Sequence, residues 1–262
     1  MNGPPLLSLR GLGVAYRGVP ALVGIDLDLA LGRRLAVIGE SGSGKSTLAL
    51  AVAGLLADEA TVFGTVSFPA LAAPPRLGRD IGVVFQDPAG SLNPVLTIGE
   101  QVAEVLVAHR GLTWRTAWRR AAELLERVRV PGRLRGYPHE FSGGQRQRIA
   151  LAAALAADPA LLIADEPTSA LDSVVQRELV DLLDALVRSQ GLTLLFVTHD
   201  IALAATLADD VAVLRRGHLL EHGPVGRVLA APRHPYTRAL LATHLDLATP
   251  LGRRLPEIGP DV

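Results

Sequence analysis

The sequence predicts an α/β fold, and three observations predict it. Short apolar runs that read as buried strands (33–38, 81–85, 161–164 and 192–197) alternate with segments patterned as helices. Polar residues sit where those runs end: Gln86, Asp165-Glu166 and Thr198-His199-Asp200, on the edge where open α/β sheets bind ligands. Between the first run and its helix, Gly39-Glu40-Ser41-Gly42-Ser43-Gly44-Lys45-Ser46-Thr47 fits G-x-x-x-x-G-K-[ST], the loop that cradles nucleotide phosphates.

Each residue type in that loop answers a physical need. Gly39, Gly42 and Gly44 let the backbone turn tightly and bring its N–H groups near phosphate oxygens. The helix that starts at Lys45 points its positive end at the same anion. Lys45 supplies a compact charge to the β- and γ-phosphates, and the Ser46 hydroxyl is placed to ligate Mg²⁺. Of the 26 basic residues all but one are arginine, and the exception is Lys45. A planar guanidinium does not replace a small ammonium at that position.

Composition narrows what the rest can do. At 262 residues the chain has room for a sizeable core, and 49% hydrophobic with 20% charged residues is ordinary for a globular protein. A formal net charge of zero gives no bulk attraction to nucleic acid or anionic lipid. With no cysteine, disulfides, thiolate metal sites and cysteine-held iron–sulfur clusters are excluded. No apolar run reaches the length of a membrane span, and the N-terminus lacks the pattern of a secretory signal. The expectation is a cytosolic chain whose membrane role, if any, comes through a partner.

Taken in order, Leu6–Leu9, Val14–Tyr16 and 25–30 read as short strands separated by turn formers. Tyr16, beside a turn, suits stacking on a nucleotide base and equally suits a sheet face. Residues 61–68 are strand-like, 71–79 a proline-rich loop and 87–94 a string of turn formers. Trp114, Trp118, Ala121, Leu125 and Val128 fall on one helix face, with arginines and glutamates opposite as a solvated surface. Ser142 is placed to cap a helix running to about Ala157, and Gly143-Gly144 destabilise its first turn by about 1 kcal/mol each relative to alanine. Such a start suits close approach of a ligand. Asp165 is then the acid expected to help hold Mg²⁺, and Glu166 is placed to polarise an attacking water. Pro167–Asp172 reads as a turn, 173–189 as an amphipathic helix, and 211–214 with 218–221 as a hairpin. A helix near 237–243 precedes a loosely ordered end.

Taken together, the motifs resemble the ATP-binding subunit of ABC transporters. Tyr16, the Walker A loop at 39–47, Gln86, Ser142-Gly143-Gly144-Gln145 (SGGQ), Asp165-Glu166, SALD at 169–172 and His199 occur in the family's order. The resemblance covers nearly the whole chain. It implies a single ABC ATPase domain over 1–262. That domain would comprise a RecA-like P-loop NTPase core, an antiparallel β subdomain, an inserted α-helical subdomain at about 89–158 and a tail from about 232. It implies ATP and Mg²⁺ held by Tyr16, Gly39, Ser41, Gly42, Gly44, Lys45, Ser46, Thr47 and Asp165, with Gln86 also a metal ligand. Glu166, His199 and Gln86 would be catalytic. Ser142, Gly143, Gly144 and Gln145 would meet the nucleotide of a second ATP-binding subunit. Permease subunits would be direct partners at the cytoplasmic face of the membrane, with a solute-binding protein engaged indirectly and no nucleic acid.

FQDPAGSLNP at 85–94, YPHEFSGGQRQR at 137–148 and HPYTRALL at 234–241 are similar to the peptide and nickel importer branch. Phe141 departs from the commoner leucine, and the short cysteine-free tail tilts the expected solute toward nickel or metal chelates. An exporter ATPase differs only in its partner. A soluble ABC ATPase acting on DNA or ribosomes fits less well, because the chain has one cassette and no sustained heptad.

Overall fold

Unbroken apolar runs become strands buried on both faces, and alternating ones become strands of a sheet with one wet face. The computed structural model describes residues 3–168 and 171–245. The chain opens with β1 (Leu7–Tyr16), β2 (Val19–Leu29), β3 (Arg34–Ile38), α1 (Lys45–Ala53) and β4 (Ala60–Ser67). It continues through β5 (Ile81–Val84), α2 (Pro88–Ser91), α3 (Ile98–Arg110), α4 (Trp114–Arg127), α5 (Gly143–Leu155) and β6 (Leu161–Asp165). It ends with α6 (Ser173–Gln190), β7 (Thr193–Val197), α7 (Ile201–Leu207), β8 (Asp210–Arg215), β9 (His218–Pro224), α8 (Val225–Ala230) and α9 (Pro235–Leu245). Ser169-Ala170, within the expected turn and the SALD motif, and the expected loose end from 246 lie outside the described residues.

Two compact units divide the chain. One is built mainly from Phe68–Phe196. Its strands lie in the order β5-β6-β7, and β5 pairs parallel to β6 from Ile81 opposite Leu161 to Val84 opposite Ala164. Every residue of β7 is buried, as is all of β6 except Asp165. Helix α5 lies against β5, and α3 and α4 pack on α5. The Arg148 guanidinium reaches Glu178 and ties α5 to α6.

The other unit takes Ser8–Leu29, Arg33–Ser67 and the chain after Phe196. It holds a three-stranded sheet in the order β2-β1-β4 and the strands β3-β8-β9. β3 runs parallel to β8, and β8 turns back antiparallel into β9 around Arg216-Gly217. Asp209 fastens β3 to β8: its carboxylate accepts from the Arg34 N–H at 2.9 Å and from the Arg34 guanidinium at 2.8 Å.

Two local readings change. The two strands expected at 6–9 and 14–16 are one ten-residue strand, β1, which crosses its glycines by a bulge between Arg10 and Gly13. The bulge is held because the Gly11 N–H donates to Asp26 of β2 at 2.8 Å. The core face of α4 is Ala117, Ala121, Leu124 and Leu125, whereas Trp114 is 50% exposed in the first turn. Trp118 does pack, against Gly99 of α3, where any Cβ would collide with its ring, so the expected face loses only Trp114. Helix α3 itself carries a start signal in sequence: Thr97 caps it, and Glu100 returns a bond to the Thr97 N–H at 2.8 Å.

Candidate nucleotide site

The phosphate loop begins where β3 ends. Gly39 has φ +152°, and an added Cβ would collide with the Leu214 carbonyl of β8. Gly44 has φ +102°, and its Cβ would stand 2.7 Å from the Ala21 carbonyl. Only glycine fits these two positions, one for each bend of the loop. Inside the loop the Lys45 ammonium is 5% exposed and donates to the carbonyls of Gly39 at 2.9 Å and Glu40 at 2.8 Å. The loop thus wraps its own cation.

The helix that follows starts without a side-chain cap. Side chains cap α3, α4, α5, α6 and α7, from Thr97, Thr113, Ser142, Asp172 and Asp200. At α1 the N-cap is Gly44, which makes no side-chain bond. A glycine there offers the first turn no capping oxygen of its own, a start that suits an anion. Ser43, which sequence reasoning did not single out, is 3% exposed and its Oγ is buried without a partner. An orphaned donor inside a phosphate loop points to a ligand oxygen as its acceptor. Its signal was its place within the motif. Ser41 and Ser46 are exposed and Thr47 is half-buried.

In the same unit, Tyr16 ends β1 half-buried, opposite Ala60 of β4. His199 is exposed one residue beyond Thr198, whose N–H donates to Val37 of β3 at 3.1 Å. That bond sets the histidine turn beside the strand that leads into the loop.

The other unit carries the remaining residues. Gln86 is exposed just past β5, and its amide donates to Glu166 Oε2 at 3.3 Å. Asp165 closes β6, and Glu166 follows with φ +43°, a left-handed backbone that a glutamate seldom adopts. The Gln147 amide, 2% exposed, donates to the Phe85 carbonyl at 3.3 Å, so α5 braces the residue preceding Gln86.

The SGGQ segment opens α5 as a capping box. Gln145 N–H donates to Ser142 Oγ at 3.3 Å, and Ser142 N–H donates to the Gln145 side chain at 3.0 Å. Gly143 is exposed. Gly144 is buried, and a Cβ on it would collide with Val175 of α6. The two glycines thus differ. Gly144 has a packing reason within its own chain, where close approach of a ligand is the expectation for both.

The sequence profile of the ABC transporter family matches residues 22–169, more than half of the chain. The chain belongs to the ABC transporter family. It is 42% identical to a putative peptide import ATP-binding protein of Brucella melitensis, an alignment spanning 97% of this chain and 82% of that one. The oligopeptide transport ATP-binding protein OppD of Bacillus subtilis is 41% identical, over 91% of this chain and 71% of its own. Among solved structures, cbiO1 of Clostridium perfringens, part of the ABC transporter complex cbiONQ, superposes with a TM-score of 0.74 at 29% identity, covering 87% of this chain and 92% of that one. The ATP-binding cassette MJ0796, solved as a post-hydrolysis dimer with ADP and Pi, gives 0.73 at 31% identity, covering 84% and 98%. The α/β fold with a RecA-like P-loop core is therefore that of an ABC ATPase cassette, and the chain is an ATPase of that kind. None of the described helices is long and apolar enough to cross a membrane.

Proposed function

We propose that this chain is the ATP-hydrolysing subunit of an ABC importer for peptides. It would work at the cytoplasmic face of the membrane with separate permease subunits and a second ATP-binding subunit. The observation that carries the nucleotide half is the loop at 39–47: a wrapped lysine, an uncapped helix and an orphaned serine oxygen together suit a polyphosphate. The peptide half is supported by the relatives, which are named for peptide and oligopeptide transport. Those names draw the solute away from the nickel and metal-chelate tilt.

Each side chain has a role in this reading. Lys45 neutralises the terminal phosphates while Gly39, Ser41, Gly42, Gly44 and Thr47 shape the loop around them. Tyr16 stacks on the base. Ser46, Asp165 and Gln86 are the residues that would hold Mg²⁺, which supplies positive charge to the phosphate oxygens. Glu166 takes a proton from water, and His199 steadies the terminal phosphate. Ser142, Gly143 and Gln145 act on the nucleotide of the second subunit, with Gly144 behind them. The turn-rich segment 87–94 that follows Gln86, at the helical subdomain of about 89–158, would receive a permease.

The test is uptake by a strain lacking this gene. A labelled oligopeptide and labelled nickel are each supplied as limiting nutrient. Loss of peptide uptake alone supports the reading, and loss of nickel uptake alone overturns its solute.

A further inference from the structure

The tail segment 234–241 has no part in the ATPase roles above, yet it touches the phosphate loop. We propose that Tyr236 is a positioning residue for ATP binding, its hydroxyl tying α9 to the Glu40 turn of the loop. The inference rests on the P-loop reading.

The geometry is direct. Tyr236 is fully buried at 0% exposure and is among the largest such side chains of the protein. The Glu40 N–H donates to its hydroxyl at 3.2 Å. The carbonyl of the same Glu40 accepts from Lys45 Nζ at 2.8 Å. Glu40 is therefore held from both sides, by the tail helix through its N–H and by the phosphate-binding lysine through its C=O. Loosening the first hold frees the residue on which the lysine is aimed.

The tyrosine is itself fixed from three directions. The Arg215 guanidinium of β8 lies over its ring, 4.6 Å from the centroid. The Tyr236 N–H donates to His234 Nδ1 at 3.1 Å. Upstream, the Glu221 carboxylate of β9 accepts from the N–H groups of Arg233 at 3.0 Å and His234 at 3.1 Å, fixing the entry to α9. Burial pushes the Tyr236 phenol above its usual range, so it remains a neutral hydroxyl at physiological pH.

Calorimetric titration of the full chain with MgATP tests the link, using Tyr236→Phe and Glu221→Gln. The phenylalanine keeps the ring and removes only the hydroxyl. Its ATP Kd should rise about three- to tenfold, the worth of one ordinary hydrogen bond, while turnover at saturating ATP stays within about twofold. Glu221→Gln should shift Kd in the same direction. A purely packing role would lower the melting temperature and leave Kd unchanged, and a Tyr236→Phe Kd within about twofold of the parent overturns the proposal. Should Tyr236→Phe fail to fold, parent-like affinity in Glu221→Gln overturns it instead. A parent chain that binds no ATP removes the P-loop reading and this link with it, a result distinct from parent and variant binding alike.

Discussion

At the scale of single residues, one buried charge and one strained backbone stand out. Lys45 is buried among loop carbonyls, so its charge is already desolvated and aimed before any phosphate arrives. Lys45→Ala should abolish measurable ATP binding in titration while the chain still folds, and unchanged affinity would contradict its role. Glu166 is different, because its backbone is strained: φ is +43° in a residue with a Cβ. Such a conformation costs of order 1–3 kcal/mol, and it tends to persist where function requires it. Glu166→Gly should therefore stop ATP turnover and yet melt no lower than the parent in denaturant unfolding, with a gain of up to about 1 kcal/mol. A clear loss of stability would show that the carboxylate, bonded to Gln86, contributes more than the strain removes.

At the scale of elements, two contacts decide how strands and helices meet. Helix α5 approaches α6 closely because Gly144 has no side chain to strike Val175. Gly144→Ala should destabilise the protein by about 1–3 kcal/mol, and Val175→Ala in the same chain should recover part of it in chemical denaturation. Strict additivity of the two changes would mean that the glycine answers only to a ligand. Strands β3 and β8 are held by Arg34 and Asp209. Burial pushes the Asp209 carboxyl up, but its hydrogen bonds to the Arg34 guanidinium and N–H outweigh this and leave it below the ordinary carboxylate range. A depressed acid contributes stability above its unfolded value and loses it as pH falls through the folded one. The stability gap between parent and Asp209→Asn, about 1 kcal/mol at pH 7, should thus close on acidification below about pH 4. A gap that stays constant down to pH 2 would mean the pair contributes through packing.

At the scale of the whole molecule, what was legible in sequence was what is local. The loop at 39–47, the Ser142–Gln145 cap and the acids after β6 each announce themselves within a few residues, since glycine, capping and strand-end chemistry act over that distance. The Thr97–Glu100 box is equally local, a second cap of the same kind. What could not be read joins distant residues: Gln86 with Glu166, 80 positions apart, and Glu40 with Tyr236, 196 apart. The orphaned Ser43 oxygen depends on burial, which no spacing reveals. The central claim, that ATP hydrolysis on this chain drives peptide import, is tested most directly by uptake of a labelled oligopeptide in cells whose own gene carries Glu166→Gln. The account predicts that uptake falls about 10²–10⁴-fold while the variant chain still binds ATP, because the base is lost and binding is not. Peptide uptake at the parent rate in those cells would contradict it.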